Sequence, residues 1–319
     1  MKDEQPLPDR NVADALIKAG RYAEAVALYR KLTETFPDEE SHLLSLAWAL
    51  HDSGRPREAA GCFEELFAKE LSRKLFTGFA YDELVRIYRE ERNGEALISV
   101  CERAAAAQPG DAGLLKTLGD AYLTAGRAVD ALNVCETLIS LEPEAAEHWC
   151  ALGAARLALG RIEEAEAAYA RAAEVDPSDA PLFFGRLAGG FLRAGCPDHA
   201  QAAIERCLAL KPDDPRYLMD LGDILVERGK PGEAADAYAR AARLNPDSAG
   251  ACWCRLGAIL ARNGLPAQAT EAVEKAVAAE PRNSRYLLRL AASYAAQGLT
   301  DLARETLRRV EKLTKTEIA

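Results

Sequence analysis

Four histidines and eight cysteines are the residues of this 319-residue chain best suited to act as bases, nucleophiles or metal ligands. His42, His51, His148 and His199 are scattered, and none has a nucleophile and a carboxylate spaced to assemble a triad. Cys252 and Cys254 are the closest cysteine pair. Two residues apart on a helix, they point about 200° from one another, a poor geometry for one metal ion. The other cysteines stand singly, mostly at helix-core spacings as Cys101 and Cys135 do, and read as structural thiols of a reducing cytoplasm. There is no Walker A run, no His-Glu-x-x-His and no Gly-x-Ser-x-Gly. Carboxylate clusters such as "RIEEAEAAYA" lie one turn from Arg or Lys, as solvated helix faces do. No catalytic residue, metal site or cofactor is therefore expected, and the chain reads as a non-enzyme.

Charge and hydropathy narrow the classes further. A net charge of −10 does not match nucleic acid or an acidic membrane surface. The opening "MKDEQPLPDR" lacks the apolar stretch of a secretory signal. No run approaches the roughly 18 apolar residues of a membrane span. A soluble, cytoplasmic chain without membrane insertion is expected.

What positions the side chains is a repeat. Residues 149–177 read "WCALGAARLALGRIEEAEAAYARAAEVDP", and residues 253–281 read "WCRLGAILARNGLPAQATEAVEKAVAAEP". From Pro109 onward, prolines recur at 143, 177, 212, 246 and 281, in steps of 34 or 35 residues. Each period repeats the same landmarks, as in Leu118-Gly119, Tyr122, Gly126, Ala131, Cys135 and then Leu221-Gly222, Leu225, Gly229, Ala234, Tyr238. Apolar spacings of three, four and seven predict helices; the mid-period glycine ends the first and the proline stops the second. Each period is thus a helical hairpin. Gly119, Gly153, Gly222 and Gly257 on first helices, and Ala131, Ala165, Ala200, Ala234, Ala269 and Ala303 on second helices, mark close approach. Pro56, Pro197, Pro231 and Pro266 suit the starts of second helices, and Asp111, Asp179, Asp214 and Asn283 suit capping of first helices.

The succession Trp/Leu, Leu-Gly, Tyr, Gly, Ala, Tyr/Phe, Ala, Pro resembles the tetratricopeptide repeat family, at that family's 34-residue period. Nine copies begin near residues 6, 40, 78, 112, 146, 181, 215, 250 and 284 and cover nearly the whole chain. The resemblance implies an all-α fold: a right-handed α-solenoid of stacked antiparallel hairpins, one domain over residues 1–319 with a short N-terminal tail at 1–8. Residues 40–111 are irregular. The second copy lacks its closing proline and is followed by the extra residues "LSRK", and the third has Asn93-Gly94 where a glycine should come slightly earlier. A longer second helix, a local change of pitch and a hinge remain alternatives. In the last copy, 284–319, Arg304 and Glu311 replace the Leu132 and Ile139 of the fourth, the polar outer face of a capping repeat that would complete the solenoid.

Arrays of this family line a concave groove with their first helices, so the resemblance implies a non-enzymatic scaffold or adaptor that binds a protein or peptide there. In the second and third copies, Leu44, Trp48, His51, Phe79 and Arg86 fall on or beside that face. Trp48 either anchors a ligand or packs on the neighbouring first helix. Small residues at Cys150, Ala151, Ala154, Gly185 and Gly189 either deepen the groove or let helices pack closely. Further on, Arg186, Arg193, Arg216, Arg255, Arg262, Arg285 and Arg289 face it, opposed by Asp220, Asp223 and Glu227. They either capture an acidic segment or pair internally with acids of adjoining repeats. Some family members grip a chaperone's C-terminal carboxylate with a Lys/Asn, Asn, Lys/Arg set. Here Lys116, Asp120, Ala151 and Leu182 do not reproduce it. The Ala- and Arg-rich composition fits a bacterial source. Self-assembly, with one copy's groove taking another's terminus, and an accessory role in a transferase complex are the alternatives.

Overall fold

The structure, a computed structural model, describes residues 9–318. The tail expected at 1–8 lies outside the described residues. Eighteen α-helices pair into nine antiparallel hairpins, no described residue is in a strand, and two compact units divide between Pro143 and Glu144. The first unit contains α1 (Arg10–Lys18), α2 (Tyr22–Thr35), α3 (Glu40–Asp52), α4 (Pro56–Ser72), α5 (Phe79–Glu90), α6 (Gly94–Ala107), α7 (Ala112–Thr124) and α8 (Ala128–Leu141). The second contains α9 (Ala146–Ala158), α10 (Ile162–Val175), α11 (Ala180–Arg193), α12 (Pro197–Leu210), α13 (Pro215–Glu227), α14 (Pro231–Leu244), α15 (Ala249–Arg262), α16 (Pro266–Ala279), α17 (Ser284–Ala296) and α18 (Thr300–Ile318). Within each unit a first helix packs on its own second helix, and that second helix packs on the next first helix, as an α-solenoid requires. In the second unit α9 also touches α11, and α13 touches α15.

The repeat landmarks take the positions their chemistry predicts. Pro56, Pro197, Pro231 and Pro266 are each the first residue of a second helix, where a missing N–H costs least. Asp111, Asp214 and Asn283 accept backbone N–H groups of α7, α13 and α17. Asp179 sits at the cap of α11 but makes no such bond; the Asp176 carboxylate instead takes the N–H groups of Ser178 and Asp179. Turn glycines such as Gly126 (φ 75°) adopt the left-handed backbone that ends the first helix. At that register in the third hairpin stands Arg92, 34 residues earlier, at φ 54°. The turn is therefore kept without its glycine, and Asn93 caps α6 through the Ala96 N–H. The extra residues of the second hairpin lengthen α4 to 17 residues, against 14 for most second helices. The longer second helix, one of the alternatives for this region, is present.

The core is built where small residues meet rings. Ala131, Ala165, Ala200, Ala234 and Ala269 are buried with almost no exposure, while Tyr29, Phe63 and Tyr238 fill the gaps beside their counterparts. At Gly222 an added Cβ would lie 2.5 Å from the Tyr238 ring, so a side chain is sterically excluded. At Gly119 the nearest atom would be Val134 Cγ1 at 3.5 Å, an ordinary contact, so the close approach expected there is absent. Tyrosine hydroxyls tie helices together: Tyr238 donates to Asp223 and Tyr29 to Asp14, each across its own hairpin. Arg57–Glu91 (3.2 Å) and Arg103–Glu64 (2.7 Å) join one hairpin to the next. On the last hairpin Arg304 is exposed, as predicted, but Leu302 and Leu307 are also more than 40% exposed, so its outer side is not uniformly polar.

Candidate functional site

Two faces on first helices hold the residues that the pattern singled out. In the first unit, α3 and α5 bring four of them together. The Trp48 ring meets His51 edge-on (centroids 5.8 Å apart) and lies 6.4 Å from Phe79. His51 Nε2 stands 3.2 Å from the Arg86 guanidinium. Leu44, one turn before Trp48, is half-buried on the same face. Trp48 is itself half-buried, because Phe63 of α4 stands behind it at 5.7 Å, edge-on. It thus packs on the neighbouring first helix and still presents an edge, while Phe79 is 43% exposed. Phe63 was not singled out, although it occupies the second-helix register of Cys135 and Tyr238. Arg86 is not a free cation: it pairs with Glu83 (2.6 Å) and Glu90 (3.2 Å).

In the second unit the seven arginines divide. Arg216 pairs with Asp214 of its own cap (2.9 Å). Arg255 bridges to α13, with Asp220 at 2.7 Å and Asp223 at 2.5 Å. Burial raises the Asp223 pKa, against the Tyr238 hydroxyl and the Arg255 guanidinium, which favour its charge. Burial works against the Arg255 charge, but Asp223, Tyr238 and Asp220 together outweigh it, and its pKa is raised. For these two arginines the internal-pair alternative holds. For Arg186, Arg193, Arg262, Arg285 and Arg289 it does not: all five are exposed, and no carboxylate among the described residues lies within ion-pair distance. Arg289 only donates to the Cys254 carbonyl oxygen (3.4 Å). Helices α11, α15 and α17 together carry six arginines and no carboxylate. Apart from Arg255, their charge is uncompensated in a chain whose overall balance is acidic.

Two glycines near this face sit at close approaches between helices. A Cβ at Gly185 would lie 3.3 Å from the Tyr217 ring, and one at Gly190 would lie 2.5 Å from Leu157 of α9. Gly190, rather than the Gly189 chosen from spacing, is thus the tightest of the three. The Cys150 thiol is buried and pushed up to about 12 by that burial, with Arg186 only partly offsetting it. All eight cysteines are free thiols, with Cys252 and Cys254 both buried. No group of three His, Cys, Asp or Glu side chains suited to a metal ion forms among the described residues, and no helix among them is long and apolar enough to cross a membrane.

Comparisons with known proteins agree with this architecture. The sequence model of the family described as "Tetratricopeptide repeat" matches residues 12–69, 116–180, 186–249 and 254–317. The cytochrome c-type biogenesis protein CycH of Rhizobium meliloti (strain 1021) is 28% identical over 263 residues, 74% of this chain and 66% of CycH. The human protein O-mannosyl-transferase TMTC1 is 29% identical over 148 residues, 45% of this chain and 17% of that enzyme. The chain thus spans just under two thirds of one of these relatives and about a sixth of the other. Among solved structures, a repeat protein from Parabacteroides merdae superposes with a TM-score of 0.51 at 17% identity, covering 83% of this chain and 98% of its own. That likeness is one of fold.

Proposed function

This chain belongs to the tetratricopeptide repeat family, whose members serve in general as protein-interaction scaffolds, and from that premise we propose that it binds a partner protein through its first-helix faces. The observation that carries the proposal is the set of five exposed arginines without carboxylate partners on α11, α15 and α17. Holding like charges on adjoining helices is unfavourable unless something outside the unit compensates them. An acidic segment of another protein is the matching ligand, because guanidinium groups bind carboxylates in forked pairs. In the first unit the Trp48 edge and Phe79 offer an apolar contact of the kind that anchors a peptide. Similarity to a protein of cytochrome c-type biogenesis supports an assembly role over turnover of a small molecule. The cytoplasm is the compartment this reading assumes, consistent with eight unpaired thiols.

The test is capture from source lysate at low and moderate salt by wild-type protein, Arg186→Glu/Arg289→Glu and Trp48→Ala. Arg255 is a poor probe, since its loss would strand the half-buried Asp223. A partner lost with the arginine pair, and weakened by salt in the wild type, supports the reading. The same partners retained by all three proteins would sink it. Self-association is a second reading, favoured by the exposed Leu288, Leu299, Leu302 and Leu307 of the last hairpin. A strict monomer by light scattering at high concentration excludes it.

A further inference from the structure

The charges on the second unit's first helices are ordered, not merely abundant. Each helix has a small residue facing its partner: Ala188 in α11, Gly222 in α13, Gly257 in α15 and Ala291 in α17. Two positions before it, successive hairpins carry Arg186, Asp220, Arg255 and Arg289. Five positions after it, α11, α13 and α15 carry Arg193, Glu227 and Arg262. These two positions are seven apart, two helical turns, so they lie on one face. Both rows read basic, acidic, basic from α11 to α15. Arg255 pairs with both the Asp220 and Asp223 carboxylates, one cation against two anions, so the centre of the face stays acidic. Glu227 is exposed and has no ion-pair partner, so α13 presents a net negative point. The uncompensated arginines therefore form two separate groups: Arg186 and Arg193 on one side, and Arg262, Arg285 and Arg289 on the other.

A peptide that matched this face with one continuous acidic run would place carboxylates against Glu227, where like charges repel. Packed helices stand about 10 Å apart, so α11 and α15 are roughly 20 Å apart across one intervening first helix. An extended chain covers about 3.3 Å per residue, so about six residues bridge the two groups. Resting on the acidic-partner reading above, we propose that the segment bound by this face carries two acidic blocks about six residues apart, with an uncharged or basic residue between them at the α13 position. The ordering makes the face selective for pattern as well as for net charge. A uniformly acidic tail is a poor ligand, although its Coulomb attraction to the arginines is larger at long range.

The experiment uses the full chain and labelled peptides of about 12 residues, a length set by that span. The split peptide has two glutamate pairs flanking six residues with lysine at the centre. A second peptide of the same composition gathers its glutamates into one run, with the lysine at one end. Fluorescence anisotropy is expected to show the split peptide binding about tenfold more tightly, the ratio of one charge-assisted pair gained against one repulsion removed. Glu227→Lys, on an exposed side chain and checked by circular dichroism, should narrow that ratio and strengthen binding of a split peptide with glutamate at its centre. Equal affinity for the two arrangements, in wild type and in Glu227→Lys, overturns the pattern and leaves the acidic-partner reading standing. Failure of every acidic peptide to bind, even at low salt, overturns both.

Discussion

Replacing Gly222 by alanine tests the claim that ring and helix meet at contact distance. The new Cβ would lie 2.5 Å and 2.6 Å from two atoms of the Tyr238 ring and 3.4 Å from the Ala234 carbonyl oxygen. Tyr238 has no exposed surface, and its hydroxyl is committed to Asp223, so the ring cannot swing aside cheaply. Overpacking of this kind costs about 3 kcal/mol at the upper end of its usual range. Alanine recovers about 1 kcal/mol over glycine in a helix interior. The net is a loss of about 2 kcal/mol, equivalent to about a thirtyfold rise in local opening. Gly119→Ala is the control: its Cβ would meet Val134 at 3.5 Å, so only the propensity gain remains, about 0.5–1 kcal/mol of stabilisation. Stacked hairpins open segment by segment, so amide hydrogen exchange resolved by helix is the suitable assay. Protection should fall in α13 and α14 for Gly222→Ala and leave α1–α4 unchanged. If both alanine variants behave alike, the steric reasoning is wrong.

Two further outcomes follow from the same geometry. Arg92→Gly should stabilise the α5–α6 turn by about 0.5–1 kcal/mol, because relief of the left-handed backbone outweighs glycine's greater entropy loss; a loss of exchange protection in α5 and α6 would mean that the arginine side chain itself holds the turn. The thiols bear on pH: burial pushes the half-buried Cys62 up to about 11 and the buried Cys135 and Cys207 up to about 12, from an ordinary value of 9.0. The folded chain thus keeps protons that the unfolded chain releases, and this stabilisation is complete below about pH 9 and lost as pH rises toward 12. The melting temperature, followed from about pH 8 to about pH 11, should fall, and less steeply in Cys135→Ala; a flat profile would contradict the burial argument.

Much of the fold was legible because each landmark has a local cause. Proline at a helix start, glycine at a left-handed turn and alanine opposite a ring act within a single hairpin, and repetition multiplied the signal. Asp179 failed as a capping residue because Asp176, three positions earlier, offered its carboxylate to the same turn. The division between Pro143 and Glu144 left no mark, since Pro143 stands at the register of every other closing proline. The candidate faces were only half legible. Spacing put Trp48, His51, Phe79 and Arg86 together correctly, yet could not show that Phe63 fills in behind. Nor could it sort the arginines into paired and unpaired sets. Arg255 meets Asp220 across 35 residues of sequence, and that distance becomes contact only after hairpins stack.

The ion pairs between hairpins have a consequence for how the chain is made. Arg57–Glu91, Arg255–Asp220 and Arg103–Glu64 join residues 34, 35 and 39 apart. No loop longer than about one repeat must close before such a bond forms, so the entropy of closure stays small. A ribosome adding roughly 5–20 residues per second releases one hairpin every few seconds, and within each unit every later hairpin finds its predecessor already available as a template. The growing chain then presents one uncovered helix face at its newest end rather than an entire exposed core. Synthesis and folding can proceed in step, hairpin by hairpin within each unit.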